Sequence, residues 1–341
     1  MTTLQMTLAD ELVLIQELAI RALSRWDLPA GAAVSLLNVS ENTTFLVTAD
    51  GGYRAILRIH RENYHSRAAI ASELAWIDAL GRDGGVTTPG YYRGLDGEAI
   101  QQISIPALPT PRFAVLFVFL EGQAPDEQED AQLSFEKLGA IAARCHEHVL
   151  GWQKPAGFER LTWDAETVFG PAATWGQWRD APHVTPQIAA ILTQVEACVR
   201  RRLTAYGKAP ERFNLIHADM RLANLLVQGA SIRVIDFDDS GWGWFMYDFA
   251  AAISFIEDDP RVPQMRSAWV QGYRSVRPLA VEDEAEIDTF IMLRRMALLA
   301  WIGSHIEAPE PQALAPTFAP VTAELGAAYL ARMGADDPVS A

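Results

Sequence analysis

Apolar residues near the start of the chain change from a helical to a strand-like spacing. From Thr7 to Trp26 they recur every three or four positions, which predicts an amphipathic helix with its first residue as N-cap. Three β-rich runs follow at Val34 to Val39, Thr44 to Thr48 and Tyr53 to His60. Asp50-Gly51-Gly52 separates the last two and is a strong hairpin signal. The pattern therefore predicts an antiparallel meander.

The pattern changes again in the middle of the chain. Ala68 to Leu80 has helical spacing, and Phe113 to Leu120, rich in Phe and Val, is typical of a buried strand. After Leu120 helical periodicity dominates. This change predicts an N-terminal lobe over residues 1–118 and a helical C-terminal lobe over residues 119–341.

Two segments of the second half are predicted to lie outside the regular core. The acidic run Asp126 to Asp130 is expected to be a solvated helix start. The Pro- and Ala-rich stretch 307–320 is expected to be a connector that leads to a last helix over Val321 to Met333.

Composition narrows the class of protein. Half of the 341 residues are apolar and about a fifth are charged, as in an ordinary globular protein. The two cysteines, Cys145 and Cys198, are far apart, and the first residues lack the basic cluster of a secretory signal, so a cytoplasmic protein is expected. The longest apolar runs fall short of the roughly 20 residues that cross a bilayer. A formal net charge of −15 disfavours nucleic acid and is compatible with a cationic substrate.

The segment from Leu215 to Asp239 carries the strongest chemical signal. Asn224 follows Asp219 by five positions, which lets a short loop bring both side chains into one cleft. The apolar run Ile232 to Ile235 ends at Asp236. Phosphoryl transfer needs an Asp that orients the attacking hydroxyl and oxygen ligands for magnesium. Asp219 is therefore predicted to be the catalytic base, with Asn224 and Asp236 as ligands of Mg²⁺.

These residues also resemble the motifs of a known superfamily, the aminoglycoside phosphotransferases and type II homoserine kinases, which includes choline kinases and bacterial stress-response kinases. His217-Ala218-Asp219 is similar to its His-Gly-Asp, with a methyl group in place of the glycine. Val234 to Phe237 resembles the metal-binding Asp motif, and Tyr247 to Ala250 the Asp-Leu-Ala segment that follows it. The resemblance implies an α+β, protein-kinase-like fold in which ATP lies between a small antiparallel-sheet lobe and a larger helical lobe.

A second resemblance lies on the predicted nucleotide loop. Glu41 to Val47 is similar to the Glu-Asn-Thr stretch of type II homoserine kinases, which implies that this turn covers the ATP phosphates. Because no glycine lies between Asn38 and Phe45, the cradle would use backbone N–H groups with polar side chains. The residues expected to contact nucleotide here are Ser40, Asn42 and Thr43, and adenine is expected against the linker from Phe119 to Glu121. An ordinary polar hairpin turn is the alternative.

A kinase-like fold also needs a cation on its third strand, paired with a Glu on the next helix. Arg58 and Glu73 fit these positions, with Arg in place of the usual Lys, as in choline kinases. Arg221, two residues after Asp219, is expected at the γ-phosphate, with a solvent-facing side chain as the alternative. Surface roles are the alternative for the neighbouring strand residues Arg54, His60 and Arg61.

The acceptor is less defined than the nucleotide site. A small-molecule alcohol is the first choice, such as an amino alcohol, a homoserine-like compound or an aminoglycoside. A protein Ser/Thr kinase of the stress-response type and a nucleotide-binding pseudokinase are the alternatives. Trp242 and Trp244 are candidates for substrate contact, and Arg294 and Arg295 are candidates either for binding a substrate carboxylate or for structural ion pairs.

Overall fold

The computed structural model describes residues 8–125, 131–229 and 231–334. The predicted Thr7 cap and the whole acidic run from Asp126 to Asp130 lie outside the described residues. Within the described ranges, no helix combines the length and the apolar character needed to span a bilayer.

A five-stranded antiparallel sheet forms the N-terminal lobe, with strand order β1-β2-β3-β5-β4. Its strands are β1 (Ala33–Val39), β2 (Thr43–Ala49), β3 (Tyr53–Ile59), β4 (Gln101–Ile103) and β5 (Arg112–Val118). The predicted meander is confirmed, and Gly51 and Gly52 turn the β2–β3 hairpin with φ of 74° and 76°. The short strand β4 was not predicted, because three residues are too few to show a period.

Two helices pack against this sheet. Helix α1 (Leu8–Ala22) covers one face, where Leu57 joins Leu18 and Trp26 in a small core. Helix α2 (Arg67–Ala79) begins at Ser66, whose hydroxyl accepts a hydrogen bond from the Ala69 N–H. Because side chains alternate along a strand, Arg58 points to the face opposite Leu57, toward the helical lobe.

The C-terminal lobe is mainly helical and carries short strands at its functional edge. Its helices are α3 (Ala131–Gly151), α4 (Ala165–Phe169), α5 (Pro186–Tyr206), α6 (Tyr247–Ala252), α7 (Val262–Arg274), α8 (Val281–Ala285), α9 (Ile287–Ser304) and α10 (Pro309–Met333). Its strands are β6 (Leu161–Trp163), β7 (Phe213–Ile216), β8 (Leu225–Gln228), β9 (Ser231–Val234) and β10 (Gly241–Trp244). Strand β10 joins β6 and β7 in one sheet, and β8 pairs with β9 in a hairpin.

Helices α3 and α7 approach so closely that only glycine fits at the contact. A Cβ atom on Gly139 would lie 2.0 Å from the Trp269 carbonyl oxygen, and one on Gly272 would lie 1.7 Å from that of Glu136. The close packing fixes α3, the helix that carries His146 beneath the catalytic loop.

The predicted connector over residues 307–320 is wrong, because helix α10 runs through it. Pro316 and Pro320 lie inside this helix although each lacks an N–H donor. Alanines beside the prolines, at positions 313, 315 and 319, favour the helix. Its buried residues Phe318 and Tyr329 fix it against its neighbours α5 and α9. Tertiary packing thus overrides a local signal that indicates a loop.

Candidate active site

A cavity of about 480 Å³ lies between the two lobes. It brings together residues that are far apart in sequence, because the sheet contributes Arg58 while the helical lobe contributes the catalytic segment. The predicted site residues that line it are Ser40, Asn42, Arg58, Phe119, Asp219, Arg221, Asn224 and Asp236. Glu73 lies directly behind Arg58.

The catalytic loop begins where strand β7 ends. Its backbone is held by Asp248, which accepts hydrogen bonds from the N–H groups of His217 at 3.2 Å and Ala218 at 2.7 Å. Asp248 also contacts the ring of the buried His146 at 2.9 Å. Ala218 has φ of 65°, a left-handed conformation that glycine adopts more easily, which explains the glycine of the similar motif.

Three side chains hold the carboxylate of Asp219. Nη2 of Arg294 lies 2.8 Å from Oδ1, and Nε of Arg221 lies 3.3 Å from the same oxygen. Nδ2 of Asn224 donates to Oδ2 at 2.8 Å and to the Asp219 carbonyl oxygen. Asp219 is therefore fixed in the cavity wall before any acceptor arrives.

Asn224 and Asp236 have the donor atoms that Mg²⁺ prefers. Because the amide nitrogen of Asn224 donates to Asp219, its Oδ1 remains available to accept a hydrogen bond or to coordinate a metal ion. Asp236 follows strand β9 with φ of 62°, and 44% of its side chain is exposed. A carboxylate and an amide oxygen on one cavity wall fit a hard cation, so these two residues would hold the magnesium of a bound nucleotide.

Arg58 bridges the two lobes through both ends of its guanidinium. Nη1 contacts Glu73 Oε1 at 2.7 Å, and Nη2 contacts Asp236 Oδ1 at 2.9 Å. Burial by itself lowers the pKa of Arg58, but the carboxylates of Glu73, Asp236 and Asp238 outweigh it, so the pKa lies above its ordinary value. Arg58 is therefore a permanent positive charge in the wall of the cavity.

We expect Arg58→Ala to lose most of the activity and Arg58→Lys to retain part of it, because a Lys supplies the charge without the two-ended contact. Glu73→Gln should have a smaller effect of the same kind as Arg58→Ala. It should raise the KM for ATP before it lowers kcat. Steady-state kinetics with ATP varied measures both constants. Arg93→Ala, a surface arginine of the same lobe, is the control.

Stability must be measured alongside, since Arg58→Ala leaves Glu73 buried without its partner, at a cost of about 3–5 kcal/mol. A folded Arg58→Ala protein with wild-type kcat and wild-type KM for ATP would show that another cation holds the phosphates.

Two of the predicted nucleotide contacts do not line the cavity. Thr43 is buried in the sheet opposite Ile59, and its neighbour Thr44 lines the cavity instead. The Glu121 side chain is half exposed and pairs with Arg54 outside the cavity. This ion pair holds the carboxylate away from the cavity, so Phe119 of the predicted adenine linker lines the cavity and the Glu121 side chain does not.

The cavity also contains residues that the sequence did not single out as functional. Glu41, in the turn between β1 and β2, accepts a hydrogen bond at 2.6 Å from Nε1 of Trp301 on helix α9. Asp239 accepts one at 2.8 Å from the Tyr64 hydroxyl. Both carboxylates line the cavity with Asp219. The sequence did offer one signal for Glu41, because it is a charged residue inside the predicted phosphate loop.

Of the four residues predicted as candidates for substrate contact, only Arg294 lines the cavity. Trp242 and Trp244 do not line the cavity, and the Trp244 indole donates to the Gly207 carbonyl oxygen at 2.7 Å. Arg295 is buried in an ion pair with Glu257 at 2.5 Å, as expected of a structural arginine. Arg294 is different, because its partner is the predicted catalytic base itself.

The chain is similar to known proteins over most of its length. Residues 34–285 match the model of the family described as "Phosphotransferase enzyme family". A solved structure described as a microcompartment-associated aminopropanol kinase is 42% identical, with a TM-score of 0.86 over 95% of this chain and 98% of that one. The homoserine kinase of Gluconobacter oxydans is 28% identical over 82% of this chain and 86% of its own.

The fold also extends to more distant structures. A structure described as an amicoumacin kinase in complex with AMP-PNP, Ca²⁺ and Ami has a TM-score of 0.75 at 19% identity, over 92% of this chain and 96% of that one. The family model covers well over half of the chain, and the two-lobed, protein-kinase-like fold is shared. The chain therefore belongs to the phosphotransferase enzyme family and is a kinase.

Proposed function

We propose that this kinase transfers the γ-phosphate of Mg-ATP to the hydroxyl group of a small amino alcohol. The observation that carries the proposal is the convergence of Arg58, Asp219, Asn224 and Asp236 on one cavity between the lobes. The similarity to an aminopropanol kinase supports the acceptor class. In this proposal residues 1–118 bind the nucleotide and residues 119–341 supply the base and the acceptor pocket.

Each residue has a defined task in this chemistry. A bound Mg-ATP supplies the transferable phosphoryl group with its charge partly neutralised. Arg58 binds the phosphates as a cation fixed by Glu73. Asp219 orients the acceptor hydroxyl and accepts its proton, and its position is fixed by Arg294 and Asn224. Ser40 and Asn42, in the β1–β2 turn, line the cavity above the expected phosphate position.

A small acceptor fits the cavity better than a protein side chain does. The hydrogen bond between Glu41 and Trp301 joins the two lobes at the acceptor side. A segment of polypeptide would have to displace this contact, whereas a molecule of a few atoms fits within the cavity. The complete catalytic set also argues against a pseudokinase, because Asp219, Asn224 and Asp236 are all present.

A magnesium-dependent ATP-consumption screen tests the proposal. We expect turnover with amino alcohols, and less or none with hydroxy amino acids, aminoglycosides and protein substrates. Asp219→Asn serves as the catalytic control. Absence of acceptor-dependent ATP consumption across the whole panel, or equal rates in Asp219→Asn, would contradict the proposed function.

A further inference from the structure

A second cavity, of about 440 Å³, lies in the N-terminal lobe. Three segments of the chain form its walls. They are residues 60–63 after β3, residues 65–67 at the start of α2 and residues 110–113 at the start of β5. None of these residues lines the cavity between the lobes. The second cavity is therefore distinct from the catalytic one.

Positive charge predominates in the second cavity. Its described lining residues include three arginines, Arg61, Arg67 and Arg112, and one carboxylate, that of Glu62. Three guanidinium groups against one carboxylate leave a formal excess of two positive charges. Arg112 compensates Glu62, because its Nη2 lies 3.0 Å from Oε2. The remaining charge favours an anionic ligand.

The other two guanidinium groups are available to such a ligand. Nη1 of Arg61 lies 2.6 Å from Nε2 of His305, and no carboxylate among the described residues pairs with Arg61. Arg67 pairs with Glu98 at 3.0 Å, but 51% and 61% of the two side chains are exposed. Because an exposed pair contributes little to stability, Arg67 can exchange Glu98 for a ligand at little cost.

The N-terminus of helix α2 borders the same cavity through Ser66 and Arg67. The first N–H groups of a helix lack intrahelical acceptors, and the helix dipole makes this end positive. The Ser66 hydroxyl accepts from the N–H of Ala69, which leaves those of Arg67 and Ala68 without a partner in the helix. Glu159 accepts from the Ser66 hydroxyl at 2.8 Å but does not line the cavity. Such a helix N-terminus is suited to bind phosphate.

His60 is an independent indication of a ligand. It lines the cavity with 2% of its surface exposed, and neither ring nitrogen has a hydrogen-bond partner among the described residues. Oδ1 of Asp238 lies 3.9 Å from Nδ1, too far for a hydrogen bond. Burial and the charge of Arg58 lower the pKa of His60 to about 3, although Asp238 raises it, so the ring is neutral and carries one N–H. A buried N–H without an acceptor is costly, and a bound anion would supply the acceptor.

We propose that the second cavity binds a phosphate group, either as inorganic phosphate or on a small phosphomonoester. His60 donates its ring N–H, Arg61 and Arg67 donate charge-assisted hydrogen bonds, and the N-terminus of α2 faces the same anion. A phosphomonoester carries about two negative charges at neutral pH, which matches the excess of positive charge in the lining. A monocarboxylate carries one. The site does not depend on which alcohol the kinase phosphorylates.

Calorimetry with the catalytic cavity filled tests the site. The full chain is saturated with Mg²⁺ and a non-hydrolysable ATP analogue, and sodium phosphate is titrated at constant ionic strength. We expect one phosphate to bind per chain, and acetate to bind about 10-fold more weakly or less, because it carries one charge and two oxygens. Absence of phosphate binding at millimolar concentration, or acetate binding as tight as that of phosphate, would overturn the proposal.

A second titration with O-phosphoethanolamine distinguishes the two sources of the phosphate group. Tighter binding of the ester than of inorganic phosphate would identify a site for a phosphorylated metabolite. Tighter binding of inorganic phosphate would identify a site for the free ion. Both results support the site, whereas binding of neither compound contradicts it.

The variants Arg61→Gln, Arg67→Gln and His60→Phe test the lining residues. Each should weaken phosphate binding by about 10-fold or more, because each removes a hydrogen bond to a charged ligand. Arg82→Gln, which makes the same change at an exposed arginine paired with Asp83 outside the cavity, should bind phosphate as the wild type does. Wild-type phosphate affinity in both Arg61→Gln and Arg67→Gln would show that the cavity is not the site.

Thermal melting adds a measurement that separates binding from folding. Phosphate should raise the Tm of the wild type and of Arg82→Gln, because a ligand that binds only the folded state stabilises it. His60→Phe keeps a ring and removes two unpaired nitrogens, so without phosphate its Tm should equal or exceed that of the wild type. The same rise in Tm with phosphate in His60→Phe as in the wild type would exclude His60 from the site. If His60→Phe does not fold, the two arginine variants still decide the outcome.

Discussion

Asp219→Asn is expected to lower kcat by about 100-fold or more while Mg-ATP still binds, because a positioned base contributes about this factor to proton transfer. The amide has nearly the same shape, and its oxygen can still accept the hydrogen bond from Arg294. The variant therefore removes the proton acceptor and keeps most of the geometry. Steady-state kinetics with saturating acceptor measures the loss, and nucleotide titration measures the binding.

A matched control makes the result specific. Asp258→Asn makes the same chemical change at an exposed residue of the same lobe and should keep wild-type kcat. An Asp219→Asn enzyme with unchanged turnover would remove Asp219 as the base. A variant that also lost nucleotide affinity would show that Asp219 contributes to nucleotide binding.

Asp236→Ala is expected to weaken Mg-ATP binding by about 100-fold or more, because the metal ion joins the protein to the phosphates. The variant also frees Arg58 from its 2.9 Å contact with Asp236, so affinity for metal-free ATP should be retained or increased. Calorimetric titrations with Mg-ATP and with ATP plus chelator distinguish the two effects. Asp236→Asn adds a test, since it keeps a hydrogen-bond acceptor for Arg58 and loses the charge.

Asp83→Ala, which removes an exposed carboxylate of the N-terminal lobe, is the control for that experiment. Equal Mg-ATP affinity in the wild type and in Asp236→Ala would show that Asp236 is not the metal ligand. Equal loss with and without magnesium would point to a structural defect of the variant.

Sequence reasoning succeeded where short spacing determines geometry. Asn224 reaches Asp219 because five residues suffice for a loop to turn back, and the resulting contact is 2.8 Å long. The alternation of side chains on β3 places Arg58 over the cavity, and α2, the next helix, brings Glu73 within 2.7 Å. These relations depend on local periodicity, which a single sequence shows.

Contacts made by distant parts of the chain were not predictable in the same way. Arg294 contacts Asp219 across 75 residues of sequence, and Trp301 contacts Glu41 across 260. No spacing rule links such positions, because helix packing brings them together. Helix α10 illustrates the same limit, since two internal prolines suggested a connector whereas burial against neighbouring helices fixes a helix.

The position of Glu41 has a consequence for how the two substrates interact. Its sequence neighbours Ser40 and Asn42 line the same cavity. In the proposed function this three-residue turn would therefore face both nucleotide and acceptor. If one substrate orders this turn when it binds, the other substrate then binds to a turn that is already ordered. Thermodynamic linkage then requires each substrate to change the affinity for the other by the same factor. Acceptor and ATP are therefore expected to change each other's affinity by an equal factor, with the β1–β2 turn as the coupling element.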